Sequence, residues 1–218
     1  MGDSFVQGMV IDGTLVNRLG SNNRFTFHGL TGGGNEAIAQ ITIDQLLLGT
    51  DFDYVLVMWS GISRIDLNIS NAAFEQLTGN PFLTRTDTEE LWYHSGGILG
   101  SWRDDNHKAI KNYLDFLYQN DSTEWHTNRT IKNIRIVSAL AKSRNIPYDA
   151  GAIYDYTGKF SGTPVLGTAT QDISQYLTIQ SYPYDWCRNH NFLTVDNFHP
   201  TPEGNKEWLN SIKLKIDC

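Results

Sequence analysis

The chain is 218 residues long, 40% hydrophobic and 12% aromatic, enough to bury one substantial α/β core without requiring a second domain. Its formal charge of -7, with 17 Lys and Arg and no basic cluster, argues against nucleic acid or an anionic membrane surface as the main partner and suits a neutral or sugar-like molecule. No apolar run approaches the roughly 20 residues that span a bilayer, the first residues show no export signal, and two cysteines, Cys187 and Cys218, are expected to be separate thiols rather than a disulfide framework.

In chain order, Met1-Gly2-Asp3-Ser4 sets a small, acid-flanked serine before Phe5 to Val10, a segment apolar enough to begin a helix. A serine at a strand-to-helix turn has an exposed hydroxyl beside the unpaired N–H groups of the helix, which suits a nucleophile whose product is an oxyanion. Gly-Asp-Ser is also ordinary turn chemistry. Gly13 to Leu19 reads as a helical turn or two, and Arg24 to His28 alternates as a short strand does. The glycine-rich loop Gly29 to Asn35 follows, then a helix from Glu36 to Leu48 with Ile38 and Ile41 on one face. That loop matches neither the dinucleotide spacing nor the P-loop ending. Its lack of side chains suits close approach of backbone N–H groups to a small oxyanion.

Asp53 to Trp59 is a continuous apolar run expected to be a strand buried on both faces. It ends at Ser60-Gly61-Ile62-Ser63-Arg64-Ile65-Asp66, which should lie on the ligand-binding rim with Ser4 and the glycine loop; Arg64 and Asp66 either line that rim or pair with each other. Residues 67–103 read as an irregular, aromatic-rich insertion, either a substrate wall or a satellite core. Helical period returns over Asp104 to Gln119 and again over Thr123 to Arg144, where Ile131, Ile134, Val137 and Leu140 point inward. Asn145 to Tyr148 looks like a turn feeding a fourth strand. Residues 149–195 read as loop, with Tyr154, Tyr156, Tyr176, Tyr182, Tyr184 and Trp186 either stacking on a sugar ring or packing the loop down. Thr201 is an expected N-cap with Pro202 at the first helical position, opening a last helix through Trp208, Leu209 and Ile212.

Just before that cap, Val195-Asp196-Asn197-Phe198-His199-Pro200 supplies an acid and a histidine at i and i+3. A serine without a base is only a cap, and here a base is present. Neutral His199 can accept the Ser4 proton through Nε2 while Asp196 bonds the Nδ1 proton, holds the tautomer and stabilises the imidazolium. No Gly-x-Ser-x-Gly elbow occurs.

Gly-Asp-Ser at the N-terminus, a glycine-rich loop after the second strand and Asp-x-x-His-Pro before the last helix together resemble the GDSL or SGNH family of serine hydrolases. The resemblance runs end to end. It implies a single domain over residues 1–218, a three-layer α/β/α sandwich with a flavodoxin-like, mainly parallel five-stranded sheet, and esterase, lipase or carbohydrate acetylesterase activity without metal or organic cofactor. Ser4 would be the nucleophile, His199 the base and Asp196 its orienting acid. The family's Gly-x-Asn-Asp block is missing, and Ile62 stands where its oxyanion Asn should be. Gly32 maps to the family's glycine donor, and Asn35 first, then Ser63 or Arg64, are the expected replacements for the missing Asn. The family's first strand should precede Gly2, where only Met1 stands. Its slot is expected to be filled by residues ahead of Met1, by another segment or by a neighbouring chain; alternatively the strands at Arg24 to His28 and Asp53 to Trp59 pair directly.

Two other readings compete. One is a catalytically weak, carbohydrate-binding member of the same fold that has lost the oxyanion Asn. The other, a metal-dependent hydrolase using His190, Asp196, His199 and Cys187, has neither a His-Glu-x-x-His nor a Cys-x-x-Cys element behind it.

Overall fold

The computed structural model describes residues 2–3, 29–30, 33–48, 52–62, 64–70, 90–94, 112, 116, 123–156, 169, 171–194 and 199–215; for 2–3, 29–30, 67–70 and 90–94 the description is of the backbone. They form a mixed α/β structure. Strands β1 (Gly2–Asp3) and β2 (Gly29–Leu30) pair in parallel, Gly2 opposite Gly29. Helix α1 (Asn35–Leu47) leads to β3 (Val55–Trp59), which pairs in parallel with β6 (Tyr148–Ala152) from Val55 opposite Tyr148 to Trp59 opposite Ala152. Between them come β4 (Asp66–Ser70), β5 (Glu90–His94) and the long helix α2 (Thr123–Ser143). A 3₁₀ turn (Ile173–Tyr176) and helices α3 (Pro183–Asn189) and α4 (Pro202–Ser211) complete the described elements.

The apolar run Val55–Trp59 is a strand because both of its faces are covered. Val55, Val57 and Trp59 join Ile38, Leu46, Ile131, Ile134, Val137 and Ala141 of α1 and α2 in one core. Met58 and its half-buried neighbour Leu56 point the other way, into a second core with Tyr184 and Cys187 of α3 and Trp208 and Leu209 of α4. Strand alternation sorts one run of five residues between two cores.

Helix α1 buries the row Ile38, Thr42 and Leu46, spaced four residues apart, together with Asn35, Ala37 and Ala39 near its start. Helix α2 lies alongside it in parallel. The Asn133 amide donates to the Asn35 carbonyl at 3.3 Å, and Arg144 donates to the Leu46 carbonyl; both pairs are 98 residues apart in sequence. Arg144 thereby satisfies one of the carbonyls that a helix leaves unpaired at its C-terminal end.

The structure refines several expectations. Gly2–Asp3 is itself a strand, paired with Gly29–Leu30, and its Cα atoms come within 8 Å of β3. Arg24 to His28 and Gly13 to Leu19 lie outside the described residues. Residues 67–103 are not wholly irregular, because β4 and β5 form an antiparallel pair with Asp66 opposite His94. Alternation through Leu67-Asn68-Ile69 fits a strand, and the partner lies too far along the chain for a hairpin signal. Residues 149–195 likewise hold α3, since Pro183 occupies the first helical turn, where the missing N–H costs nothing. Of the helix expected over Asp104 to Gln119, Asn112 and Phe116 are described, both helical and both exposed.

On the outer side of β6, Ala150 is bonded by a segment that is not a strand among the described residues. The outward N–H of Ala150 donates to the Thr178 hydroxyl at 2.8 Å, and its carbonyl accepts from the N–H groups of Thr178 and Ile179. One residue earlier in β6 the buried Asp149 carboxylate accepts from the Tyr54 hydroxyl at 2.9 Å and the Lys215 N–H at 2.6 Å, tying the segment after α4 to the sheet.

Candidate active site

The glycine loop reaches α1 through Gly33 and Gly34, both buried. Gly34 is the N-cap of α1 and has no capping side chain of its own. Asp66, 32 residues later and at the first position of β4, supplies the cap: Oδ1 accepts from the Gly34 N–H and Oδ2 from the Ala37 N–H, each at 2.8 Å. A carboxylate here meets both the orphan donors and the positive end of the helix. A Cβ added to Gly34 would lie 2.8 and 2.9 Å from the two Asp66 oxygens, so the close approach requires glycine. The helix start that a phosphate group would occupy in a nucleotide-binding loop already holds an anion.

Arg64 bonds to the same loop. Its guanidinium donates to the Gly33 carbonyl at 3.0 Å, and its own carbonyl accepts from Arg129 at 2.6 Å. Arg129 also meets Glu36 at 3.1 Å and lies 4.4 Å from the Trp125 ring centroid, so α2 braces the rim from outside.

Asn35 is buried and fully engaged. Its amide nitrogen donates to the Ser60 carbonyl and the Thr130 hydroxyl, each at 3.1 Å, and its oxygen accepts from the Ser60 N–H at 2.7 Å. The Tyr156 hydroxyl donates to the same Ser60 carbonyl. Asn35 was expected as the first replacement for an oxyanion donor; both of its amide hydrogens are instead committed to joining α1, the carboxyl end of β3 and α2. Ile62, at the position of the family's Asn, is buried at 1% exposure and has no hydrogen to donate.

His199 is exposed, on a turn closed at both ends. Leu193 and Pro200 form an antiparallel bridge, and the Thr194 N–H donates to the His199 carbonyl at 2.8 Å. Thr201 then caps α4, its hydroxyl accepting from the Gly204 N–H at 3.0 Å, with Pro202 in the first turn as expected. The stretch holding Asp196 is thus bounded by a tied pair of ends. Ser4, Gly32, Ser63 and Asp196 themselves lie outside the described residues.

The aromatic segment mostly packs the protein down. Tyr154, Tyr156 and Tyr184 are buried, Tyr154 and Tyr184 with ring centroids 5.2 Å apart. Trp186 lies stacked on His190 at 4.0 Å and on Phe192 at 6.0 Å. Half-buried Tyr182 is pushed up to about 12 by burial and by the carboxylates of Asp155, Asp172 and Asp185. Asp185 is itself pushed up to about 6, mainly by burial, and accepts from the Asp155 N–H at 2.8 Å.

The metal reading finds little in its described members. Burial pushes the Cys187 thiol up to about 12, away from the thiolate that binds metal, and His190 donates from Nδ1 to the Trp186 carbonyl at 2.7 Å. Among the described residues no group of three or more His, Cys, Asp or Glu is gathered to hold an ion.

Sequence reasoning missed Asp66 as a cap and Arg129 as a brace. Neither has a local signal, since each acts across at least 29 residues. Comparison of the chain with protein families, with curated proteins and with solved structures finds no match.

Proposed function

We propose that the chain is a serine esterase of the GDSL or SGNH type, cleaving acetyl or other short acyl groups from a carbohydrate or small ester. The observation that carries this reading is the strand Gly2–Asp3 beside Gly29–Leu30 in parallel pairing. Parallel strands end at the same side of a sheet, so the ends at Asp3 and Leu30 lie side by side, which supports a reading in which Ser4 and the glycine loop serve one site. The bonds from Asn35 to Ser60 and from Gly34 to Asp66 draw the carboxyl end of β3 to that edge as well. The proposed frame is one parallel sheet containing the order β2-β1-β3-β6, between helical layers on both faces, with the Thr178–Ile179 segment bonded along the outer side of β6.

In the reaction His199 takes the Ser4 proton as the hydroxyl attacks the ester carbonyl, and Asp196 steadies the imidazolium. The tetrahedral oxyanion sits against the backbone N–H groups of Ser4 and Gly32, with Ser63 as a further donor. Collapse expels the alcohol, which takes the proton from His199. Water, deprotonated by the same histidine, then releases the acid and restores Ser4. No cofactor enters these steps.

A second reading, a glycan-binding protein with weak turnover, is favoured by the buried Ile62 and the committed Asn35. One experiment separates the two. A fluorophosphonate probe followed by mass spectrometry should label Ser4, and Ser4→Ala and His199→Ala should each remove roughly 10³ or more of p-nitrophenyl acetate turnover, with little further loss in the double variant. Retention of acetylated glycan without labelling or acetate release would favour the binding reading.

A further inference from the structure

The bonds from Arg64 and Asp66 fall on one peptide unit. The carbonyl of Gly33 accepts from the Arg64 guanidinium at 3.0 Å, and the N–H of Gly34, in the same amide plane, donates to Asp66 Oδ1 at 2.8 Å. A peptide between two glycines has no Cβ to oppose its rotation, so its orientation is among the least fixed a backbone offers. Here it is held from both sides by residues two apart on the β3–β4 connection. Asp66 is anchored through its second oxygen at Ala37, and the carbonyl of Arg64 is held by Arg129.

We infer that Arg64 and Asp66 are a clamp on the Gly33–Gly34 peptide, fixing the orientation in which the glycine loop is joined to the start of α1. Both are positioning residues and neither contacts the ester. The inference assigns Arg64 to the loop rather than to the oxyanion, and Asp66 to the helix start that would otherwise accept an external anion. Its catalytic consequence rests on the Ser4 esterase reading; its consequence for the loop does not.

The test follows two quantities: hydrogen exchange at the Gly34 and Ala37 amides, and the rate of Ser4 labelling by a fluorophosphonate. In Asp66→Ala both amides should lose protection and labelling should slow by roughly 10- to 100-fold, the penalty for misplacing a catalytic group by about 1 Å. Sodium formate should restore both, because its carboxylate can occupy the vacated helix start, whereas sodium chloride at equal ionic strength should not. Asp66→Asn, with one acceptor oxygen in place of two, should restore protection at one amide only. Arg64→Ala should slow labelling, and adding it to Asp66→Ala should cost little more, because both act on one peptide.

Unchanged exchange and labelling in Asp66→Ala would overturn the clamp, as would a folded Asp66→Ala that formate does not restore. Should that variant fail to fold, Gly34→Ala keeps Asp66 in the chain while placing a Cβ against its oxygens. Slowed labelling is then the expected result, and a wild-type rate would overturn the proposal. If the wild-type chain is not labelled at all, the esterase reading fails, and exchange with formate still decides the clamp.

Discussion

Two helix starts solve the same problem in opposite ways. Helix α4 begins with Thr201, whose hydroxyl accepts from Gly204 three residues on, and with Pro202 in its first turn. Helix α1 begins with Gly34, which brings no side chain, and borrows a carboxylate from Asp66 on a strand 32 residues away. A local cap closes one helix. A remote cap closes a helix and, in the same bonds, fastens a loop to a sheet, so at α1 secondary and tertiary structure depend on each other.

The sharpest way to break that comparison is to delete both caps separately. Asp66→Ala strands two buried N–H groups that were bonded to an ion and should cost about 3 kcal/mol, whereas Thr201→Ala should cost about 1 kcal/mol, the usual worth of an N-cap. Urea denaturation of the two variants checks this directly. Equal losses would mean that Asp66 acts only as a cap and that the fastening contributes nothing.

The same contrast explains what could be read from the residues alone. Thr201-Pro202 announces itself because both halves of its interaction lie within four residues, and the strand Val55–Trp59 does so through an unbroken apolar run. The stripe Ile131, Ile134 and Val137 in α2 is legible for the same reason: periodicity is a local property. Asp66 was open to pairing with Arg64, two residues away, since nothing in the chain points it toward Gly34 and Ala37. The β4–β5 pair and the engaged Asn35 escaped for the same reason, because their partners are set by topology rather than spacing. Helix α3 was hidden in a stretch that read as loop because proline breaks a helix inside it but starts one at the first turn, where Pro183 sits. Of the expected triad, His199 lies just before the Thr201 cap, as its place in the sequence implied, while Ser4 and Asp196 lie outside the described residues.

A second test sharpens the comparison through the glycines beside the two caps. Gly204 donates to Thr201 and faces the α3 side, where an added Cβ would lie 2.5 Å from the Phe192 Cβ and 3.1 Å from the Cys187 sulfur. Gly204→Ala should therefore cost about 2 kcal/mol through overpacking, despite alanine's better helix propensity. Cys187, fully buried in the wild type, should become accessible to a thiol reagent as α3 and α4 separate. A variant as stable as wild type with an unreactive thiol would show that the α3–α4 contact yields more easily than its spacing implies.

The smallest expected effect concerns a third helix start. Asp185 lies in the first turn of α3, where a carboxylate commonly faces its own helix, yet its Oδ2 accepts from the N–H of Asp155 after β6. Burial, more than the neighbouring Asp155 charge, pushes it up to about 6, against the lowering influence of that hydrogen bond and of Arg188. A carboxyl raised on folding binds its proton more tightly in the native state. The native chain therefore holds more protons than the unfolded chain between about pH 4 and 6, and stability falls as pH rises through that window. Asp66 differs in its partners, since both of its oxygens accept from backbone N–H groups. Asp185→Asn keeps an oxygen for the Asp155 N–H and removes the buried charge, so it should melt at a higher temperature than wild type at pH 7 and at nearly the same temperature at pH 4. Melting curves at the two pH values check the sign. A variant less stable than wild type at pH 7 would mean that the Asp185 charge is held as favourably as that of Asp66, and that the two buried carboxylates follow one rule.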